Sequence, residues 1–386
     1  MRKTQRIPLC RIASEALARV HPGFLLRAGL PAFAGPRAVL LWGKAAEASL
    51  QALSSREPEL GRGIPVLVLS PEPRRNARDL GPQARFLVGE HPIPGEGSLR
   101  AGAGLLEFFA RLRDLGTLRL DVYLSGGASS AAWLPTPAHA SAEGWAELRA
   151  RLEALYRRPF SIAELNAARA RLCALKAGGA ARALGLLAPR VRAHAHILSD
   201  VLPFAPSWVG SGPFAAPGVR VHVIADARAW LAEMRRLAGA ESTLLAEVWS
   251  RPVEAWADDL ARAVRAELRA GRRGLLITVG EPQVRVPAQA KGRGGRLTHL
   301  ACALATRLRS ELASGRVELH GASSDGVDGR SGASAVSVDR ARLPQARDLA
   351  RALAAYATAE PLAAAGCLAT ARASGTNVQD ALLVRL

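Results

Sequence analysis

The chain has 386 residues, 49% hydrophobic and 22% charged, which is more apolar surface than one core uses, so two domains are expected. A formal net charge of +19 raises nucleic acid as a partner. Against it, the arginines alternate with Asp and Glu along segments such as Arg262 to Arg273, and aromatic stacking residues make up only 5%. The charge reads as solvated helix faces plus a field that steers small anions, with no nucleic acid expected.

The four cysteines, Cys10, Cys173, Cys302 and Cys367, lie far apart and have no metal-ligand spacing. Arg11, Glu15 and Arg19 interrupt any signal-peptide core, and no uncharged apolar run reaches membrane length. The expectation is a reduced cytoplasmic protein without a membrane partner, a monomer or homodimer.

In chain order, a helical segment precedes a buried strand, Ala38 to Trp42, then Gly43-Lys44 and a helix to about Leu53. A strand, glycine turn and helix in that order present an anion site at the carboxyl edge of a parallel sheet. It is not a P-loop, because Ala45 cannot ligate magnesium. Strands are predicted at Pro65 to Leu69, Arg85 to Val88 and Leu120 to Leu124, with a helix from Ser98 to Arg113 before the last. That last strand enters Ser125-Gly126-Gly127-Ala128-Ser129-Ser130, which suits either a substrate packed on bare backbone or a tight turn with no ligand.

Glu143 to Leu187 has a helical pattern that places Asn166, Arg169 and Lys176 near one face. A strand, Ala193 to Leu198, ends in Ser199-Asp200, a position for a general base, a metal ligand or a helix cap. The strand Val219 to Ile224 and a helix to about Ala238 close the first domain, placed at residues 1–240. Residues 241–386 form the second: a helix Val253 to Ala270, strands Gly274 to Val279 and Gln283 to Val286, a helix from about Leu297 to Ala313, and a strand Val317 to Ala322. Asp325-Gly326-Val327-Asp328-Gly329 follows, read as a magnesium site or as plain Asp-Gly turns. Helical runs and a closing strand complete it.

The most distinctive stretch is Lys291-Gly292-Arg293-Gly294-Gly295-Arg296, at the head of a helical pattern. Three glycines and three cations let backbone amides and side-chain charge converge on an anion, although a basic surface loop has the same composition. Lysine usage favours the anion site. Only four of the 52 basic residues are lysine, and Lys44, Lys176 and Lys291 all lie beside or close to glycine. An ammonium is a compact point charge that a planar guanidinium does not replace at a tight phosphate site.

Together these segments resemble the glycerate 2-kinase family whose carboxy-terminal half is the MOFRL domain. The resemblance is carried by Gly43-Lys44-Ala45-Ala46, His91-Pro92-x-Pro94 with Ser98 and Arg100, Ser125-Gly126-Gly127, Asn166-x-x-Arg169-x-x-Leu172-x-x-x-Lys176, and Leu198-Ser199-Asp200-Val201. It continues through Ser211-Gly212-Pro213, Gly280-Glu281, Lys291 to Arg296, Asp325-Gly326-x-Asp328-Gly329 and Gly375-Thr376-Asn377.

The resemblance implies an α/β fold of two domains, a Rossmann-like doubly wound parallel sheet followed by a smaller α/β MOFRL domain, with the active site in the cleft between them. It implies ATP- and Mg²⁺-dependent phosphorylation of the 2-hydroxyl of D-glycerate, or of a similar hydroxy acid. Lys44, Asp200 and Arg296 are the expected catalytic residues. Ser125, Gly126, Gly127, Asn166, Arg169 and Lys176 are assigned to substrate, and Glu281, Lys291, Gly292, Gly294 and Gly295 to nucleotide phosphates. Asp325 and Asp328 are assigned to the metal.

The chain departs from the family pattern at Ala128, at Phe204 and Ala205, at Leu297-Thr298-His299 and at Arg330. These changes put the substrate, rather than the fold, in question, and leave a kinase for another small hydroxy acid or a weakly active remnant as the alternative. An NAD-dependent hydroxypyruvate reductase is the rival enzyme, disfavoured by the lack of a Gly-x-Gly-x-x-Gly turn after a strand.

Overall fold

The computed structural model describes residues 6–28, 35–73, 81–156, 162–202, 205, 207–239, 243–287 and 289–386. The chain forms two compact units. One comprises residues 21–226 with the short return 375–377, and the other residues 1–20, 227–374 and 378–386. The expected boundary between residues 240 and 241 lies outside the described residues.

In the first unit, strands β1 (Arg37–Trp42), β2 (Val66–Ser70), β3 (Ala84–Val88), β4 (Arg119–Leu124), β5 (Arg192–Leu198) and β6 (Arg220–Ala225) form one sheet in the order β3-β2-β1-β4-β5-β6. All pairings are parallel, with Leu40 standing between Leu67 and Val122. This is the Rossmann order, and the direction of winding reverses between β1 and β4. β1 and β2 are unbroken apolar runs because helices cover both faces. Leu40 and Trp42 enter a core with Phe109 and Trp133, while Val39 and Leu41 enter a second core with Leu50 and Leu53. Each fully buried large side chain here contributes about 1.5–3 kcal/mol.

The predicted helical stretch from Glu143 to Leu187 is three helices, Ala142–Tyr156, Ile162–Leu172 and Gly179–Leu187. The second ends before Lys176, so Lys176 is not on the face that carries Asn166 and Arg169. The break at Ala177 and Gly178, both left-handed, is fixed by hydrogen bonds from their N–H groups to the carbonyls of Ser211 and Gly212 at 3.0 and 2.7 Å.

The second unit holds β7 (Thr243–Pro252), β8 (Leu275–Gln283), β9 (Glu318–Ser323), β10 (Ala333–Val338), β11 (Leu368–Thr370) and β12 (Asp380–Arg385), ordered β11-β10-β9-β12-β8-β7. Only β7 and β8 are parallel. The sequence reading missed β7, β10 and β11, and it divided β8 in two. β8 instead continues through Gly280, where an added Cβ would stand 1.6 Å from the Trp249 carbonyl oxygen. Gly280 therefore permits close approach of a neighbouring strand.

Helix Leu9–Val20 belongs to this second unit despite its early position. Its apolar stripe, Ile12, Ala13, Ala16 and Val20, is buried, and Trp230 on helix Ala227–Ala238 donates its indole N–H to the Ala13 carbonyl at 3.2 Å. Among the described residues, no helix is long and apolar enough to cross a membrane.

Candidate functional site

At the point where the first sheet's winding reverses, two turns lock together. The Lys44 N–H donates to the Gly126 carbonyl at 2.9 Å, and the Ala45 N–H donates to Ser125 Oγ at 3.0 Å. Gly127, left-handed with φ 81°, starts the short helix Ala128–Ala131, and a Cβ on it would stand 3.0 Å from Lys44 Cγ. The lysine stem therefore lies across bare backbone.

From the end of β5, Asp200 reaches the same turn. A Cβ on Gly126 would meet its Oδ2 at 2.0 Å, and that oxygen accepts a hydrogen bond from Asn377 Nδ2 at 2.9 Å. Lys44, Ser125, Gly126, Gly127, Asp200 and Asn377 thus converge at the carboxyl edge of the sheet, where α/β folds bind ligands. A cavity of about 550 Å³ lined by Arg37, Arg119 and Asp121 opens at the opposite edge of that sheet and is not part of this constellation.

His91 and Arg169 add charge to the region. His91 Nδ1 is 3.0 Å from Ser130 Oγ. Lost hydration around the ring, then the nearby cations Lys44 and Arg169, push its pKa down to about 4, so it is neutral at pH 7. Arg169 is 6% exposed and donates to the Tyr156 hydroxyl, which itself donates to the Pro92 carbonyl at 3.2 Å. One turn earlier, Asn166 Oδ1 accepts from Ser211 Oγ at 2.8 Å, while its buried Nδ2 has no partner among the described residues. Ala128, where the family has a third glycine, is buried. Its methyl occupies space left by Gly210, on which a Cβ would stand 2.9 Å from it.

Lys176 corrects the expectation of substrate contact. It is 1% exposed. Its ammonium donates to the carbonyls of Ala128 and Ala132 at 3.3 and 3.2 Å, closing the carboxyl end of the short helix, and it lies over the Trp42 and Trp133 rings. Its role is to hold the glycine turn from beneath.

Burial lowers the Lys176 pKa from the ordinary 10.5 to about 8, so between those values the unfolded chain binds a proton that the native chain does not. Native stability is therefore expected to rise with pH across that window relative to Lys176→Met. Chemical unfolding of both proteins at several pH values checks this. A constant difference between them would refute it.

The second unit gathers a different set of residues. β12 runs antiparallel between β8 and β9, which sets Asp380 opposite Gly280 and Ser323. Asp380 Oδ1 accepts from Ser323 Oγ at 2.7 Å. Arg296, the first residue of helix Arg296–Arg307, pairs with Glu281 and approaches Asp380 Oδ2 at 3.4 Å.

Burial pushes the Asp380 pKa up to about 7; Arg296 and the Ser323 hydroxyl oppose this, while Asp328 and Asp325 add to it. Burial alone would lower the Arg296 pKa, but Asp380, Glu281, Asp325 and Asp328 hold it above its ordinary value. Sequence reasoning missed Asp380, because the closing strand reads as core and only its three-strand pairing brings a buried carboxylate to Arg296.

Asp328, expected at the metal, has a structural role as well. Its Oδ1 and Oδ2 accept the Leu297 and Thr298 N–H groups at 2.9 and 3.0 Å, so it caps the helix that starts at Arg296. The capped turn needs a bare backbone at Gly295, where a Cβ would stand 2.2 Å from the Asp328 carboxylate. Asp325 Oδ1 accepts from Ser323 Oγ and from the Val327 N–H, both at 3.0 Å.

Both aspartates thus accept hydrogen bonds within their own turn and the capped helix, and among the described residues no group of three or more His, Cys, Asp or Glu could hold a metal. Leu297, Thr298 and His299 are all buried. Thr298 Oγ1 accepts from the Gly295 N–H at 2.8 Å, and His299 Nε2 lies 3.2 Å from Glu254. These departures from the family pattern are therefore taken up by capping and packing. Phe204 lies outside the described residues.

Residues 9–242 match the model of a domain of unknown function, DUF4147, and residues 274–380 match the MOFRL family. Two Agrobacterium vitis proteins, each named putative hydroxypyruvate reductase, are 29% identical to this chain. One alignment covers 96% of this chain and 92% of the relative, the other 63% and 72%. Among solved structures, a glycerate kinase from Thermotoga maritima superposes with a TM-score of 0.79 at 24% identity over 98% of both chains. A Pyrococcus horikoshii protein superposes with a TM-score of 0.73 at 18% identity, over 98% of this chain and 97% of that one. The DUF4147 match spans more than half of the sequence, and the chain accordingly belongs to the family that joins a DUF4147 domain to a MOFRL domain, with the two-domain α/β fold of a glycerate kinase.

Proposed function

We propose that the protein is an ATP-dependent kinase that phosphorylates the 2-hydroxyl of D-glycerate, giving 2-phosphoglycerate. The observation that carries this reading is the convergence of Lys44, the Ser125–Gly127 turn, Asp200 and Asn377 at the carboxyl edge of the parallel sheet. Phosphoryl transfer asks mainly for positioning and charge neutralisation, and these groups supply both.

In this mechanism the Asn377 amide fixes one oxygen of Asp200, and the carboxylate orients the hydroxyl and takes its proton. The new bond forms between the glycerate oxygen and the γ-phosphorus, and the bond from that phosphorus to the bridging oxygen of ADP breaks. Lys44 neutralises the charge on the transferring group. Arg169 and the unpaired Nδ2 of Asn166 bind the substrate carboxylate. Lys291, Gly292, Gly294, Gly295 and Arg296 cradle the nucleotide phosphates, with Glu281 holding the Arg296 guanidinium. Mg²⁺ would be carried by those phosphates and would neutralise part of their charge, in keeping with its preference for phosphate oxygens and water over all-protein cages.

The test is ATP consumption by purified protein with Mg²⁺ and D-glycerate, with product detected through enolase, which accepts 2-phosphoglycerate directly. Glycerate-dependent signal is the expected result. Its absence, together with NADH oxidation in the presence of hydroxypyruvate, would replace this reading with the activity named for the Agrobacterium proteins. The turn Gly43-Lys44-Ala45 after β1 lacks the further glycines a dinucleotide needs, which favours the kinase.

A further inference from the structure

A second cavity, of about 590 Å³, lies in the mixed-sheet unit between helices Ala346–Ala355 and Ala359–Ala364. Its walls are mainly alanine, leucine and proline, with Gln345, Asp348, Arg351 and Glu360 as the polar side chains. That volume and that balance of apolar wall to few polar groups suit a small aromatic ligand.

The cavity shares a wall with the Lys291–Arg296 loop. Ala357 lines the cavity, and a Cβ on Gly292 would stand 2.7 Å from its Cα. The Ala359 N–H donates to the Arg293 carbonyl at 3.0 Å, and a Cβ on Gly294 would stand 2.6 Å from Thr358 Oγ1. Loop and cavity are thus two sides of the single chain segment 357–360.

We propose that this cavity receives the adenine of the nucleotide whose phosphates the Lys291–Arg296 loop binds, an inference that rests on the kinase reading above. The polarity is complementary. Phosphates meet Lys291 and the Gly292 and Gly294 N–H groups, while the Gln345 side chain and the Glu360 carboxylate accept from the exocyclic amine. Arg351, ion-paired with Asp348 at 3.0 Å, presents a planar cation to the ring.

Ala355 and Ala364 are exposed wall residues, so a larger side chain at either fills the cavity from outside the core. Calorimetric titration of the full chain with ATP, and separately with inorganic tripolyphosphate, tests the assignment in wild type, Ala355→Trp and Ala364→Trp. Both variants are expected to bind ATP at least about tenfold more weakly and tripolyphosphate as wild type does. Wild-type ATP affinity in both variants would place the base elsewhere and overturn the proposal while leaving the kinase reading intact. Equal weakening of ATP and tripolyphosphate would also overturn it, by locating the effect in the phosphate loop. A wild-type protein that binds no ATP would remove the kinase reading and this subsite together.

Discussion

Lys44→Arg is expected to lower glycerate-dependent turnover by about two to three orders of magnitude, the range found when one preorganised charge or donor is lost at a reacting centre. The charge is conserved in this variant, so the effect is geometric. The Lys44 stem runs over Gly127, where even a Cβ would be 3.0 Å from its Cγ, and its backbone N–H is fixed to Gly126 at 2.9 Å. A planar fork on that stem places its charge further out and spreads it over three nitrogens. KM for glycerate should change little if the carboxylate is held by Arg169, so the loss should fall on kcat. Unfolding by denaturant should match wild type, because the Lys44 side chain is not part of either buried core. Unchanged turnover would remove Lys44 from the mechanism.

Much of this arrangement is legible in the sequence, and the parts that are not share a physical cause. The parallel strands announce themselves as continuous apolar runs, Ala-Val-Leu-Leu-Trp at β1 being the clearest, because both faces are covered. Gly43, Gly126, Gly127 and Asp200 are readable as strand-end chemistry for the same reason.

The second sheet is harder to read. Its strands mix apolar and small residues, β10 being Ala-Ser-Ala-Val-Ser-Val, and three of the six were missed. Asp380 and Asp328 show the deeper limit. Local sequence presents one as part of a core strand and the other as a turn ligand. Asp380 acquires its elevated pKa from burial between strands β8 and β9, whose residues Gly280 and Ser323 pair with it from 100 and 57 positions earlier in the chain. Asp328 acquires its capping role from a helix thirty residues earlier. Lys176 is the same case in reverse. Its retention among so few lysines signals a constraint, but the constraint is a buried ammonium on two carbonyls of the short helix that follows the Ser125–Gly127 turn.

Gly126→Ala is the sharpest separation of position from chemistry. Gly126 does not have a positive φ, so alanine costs the backbone little there. The new methyl would instead meet Asp200 Oδ2 at 2.0 Å and Asn377 Nδ2 at 3.2 Å, which forces the carboxylate to move while leaving its charge in place. Misplacement of a reacting group by about 1 Å can cost about a hundredfold in rate, and a loss of turnover of at least that size is expected.

Asp200→Asn provides the companion measurement, since it keeps the shape and removes the proton acceptor. Its loss should be about 10²–10⁴-fold, and the two substitutions combined should cost scarcely more than the worse of them, because both disable the same group. Multiplicative losses would mean that Gly126 and Asp200 act independently, the glycine serving the substrate directly. Full turnover in Gly126→Ala would mean that the carboxylate, as held by Asn377, is not where the reaction takes place.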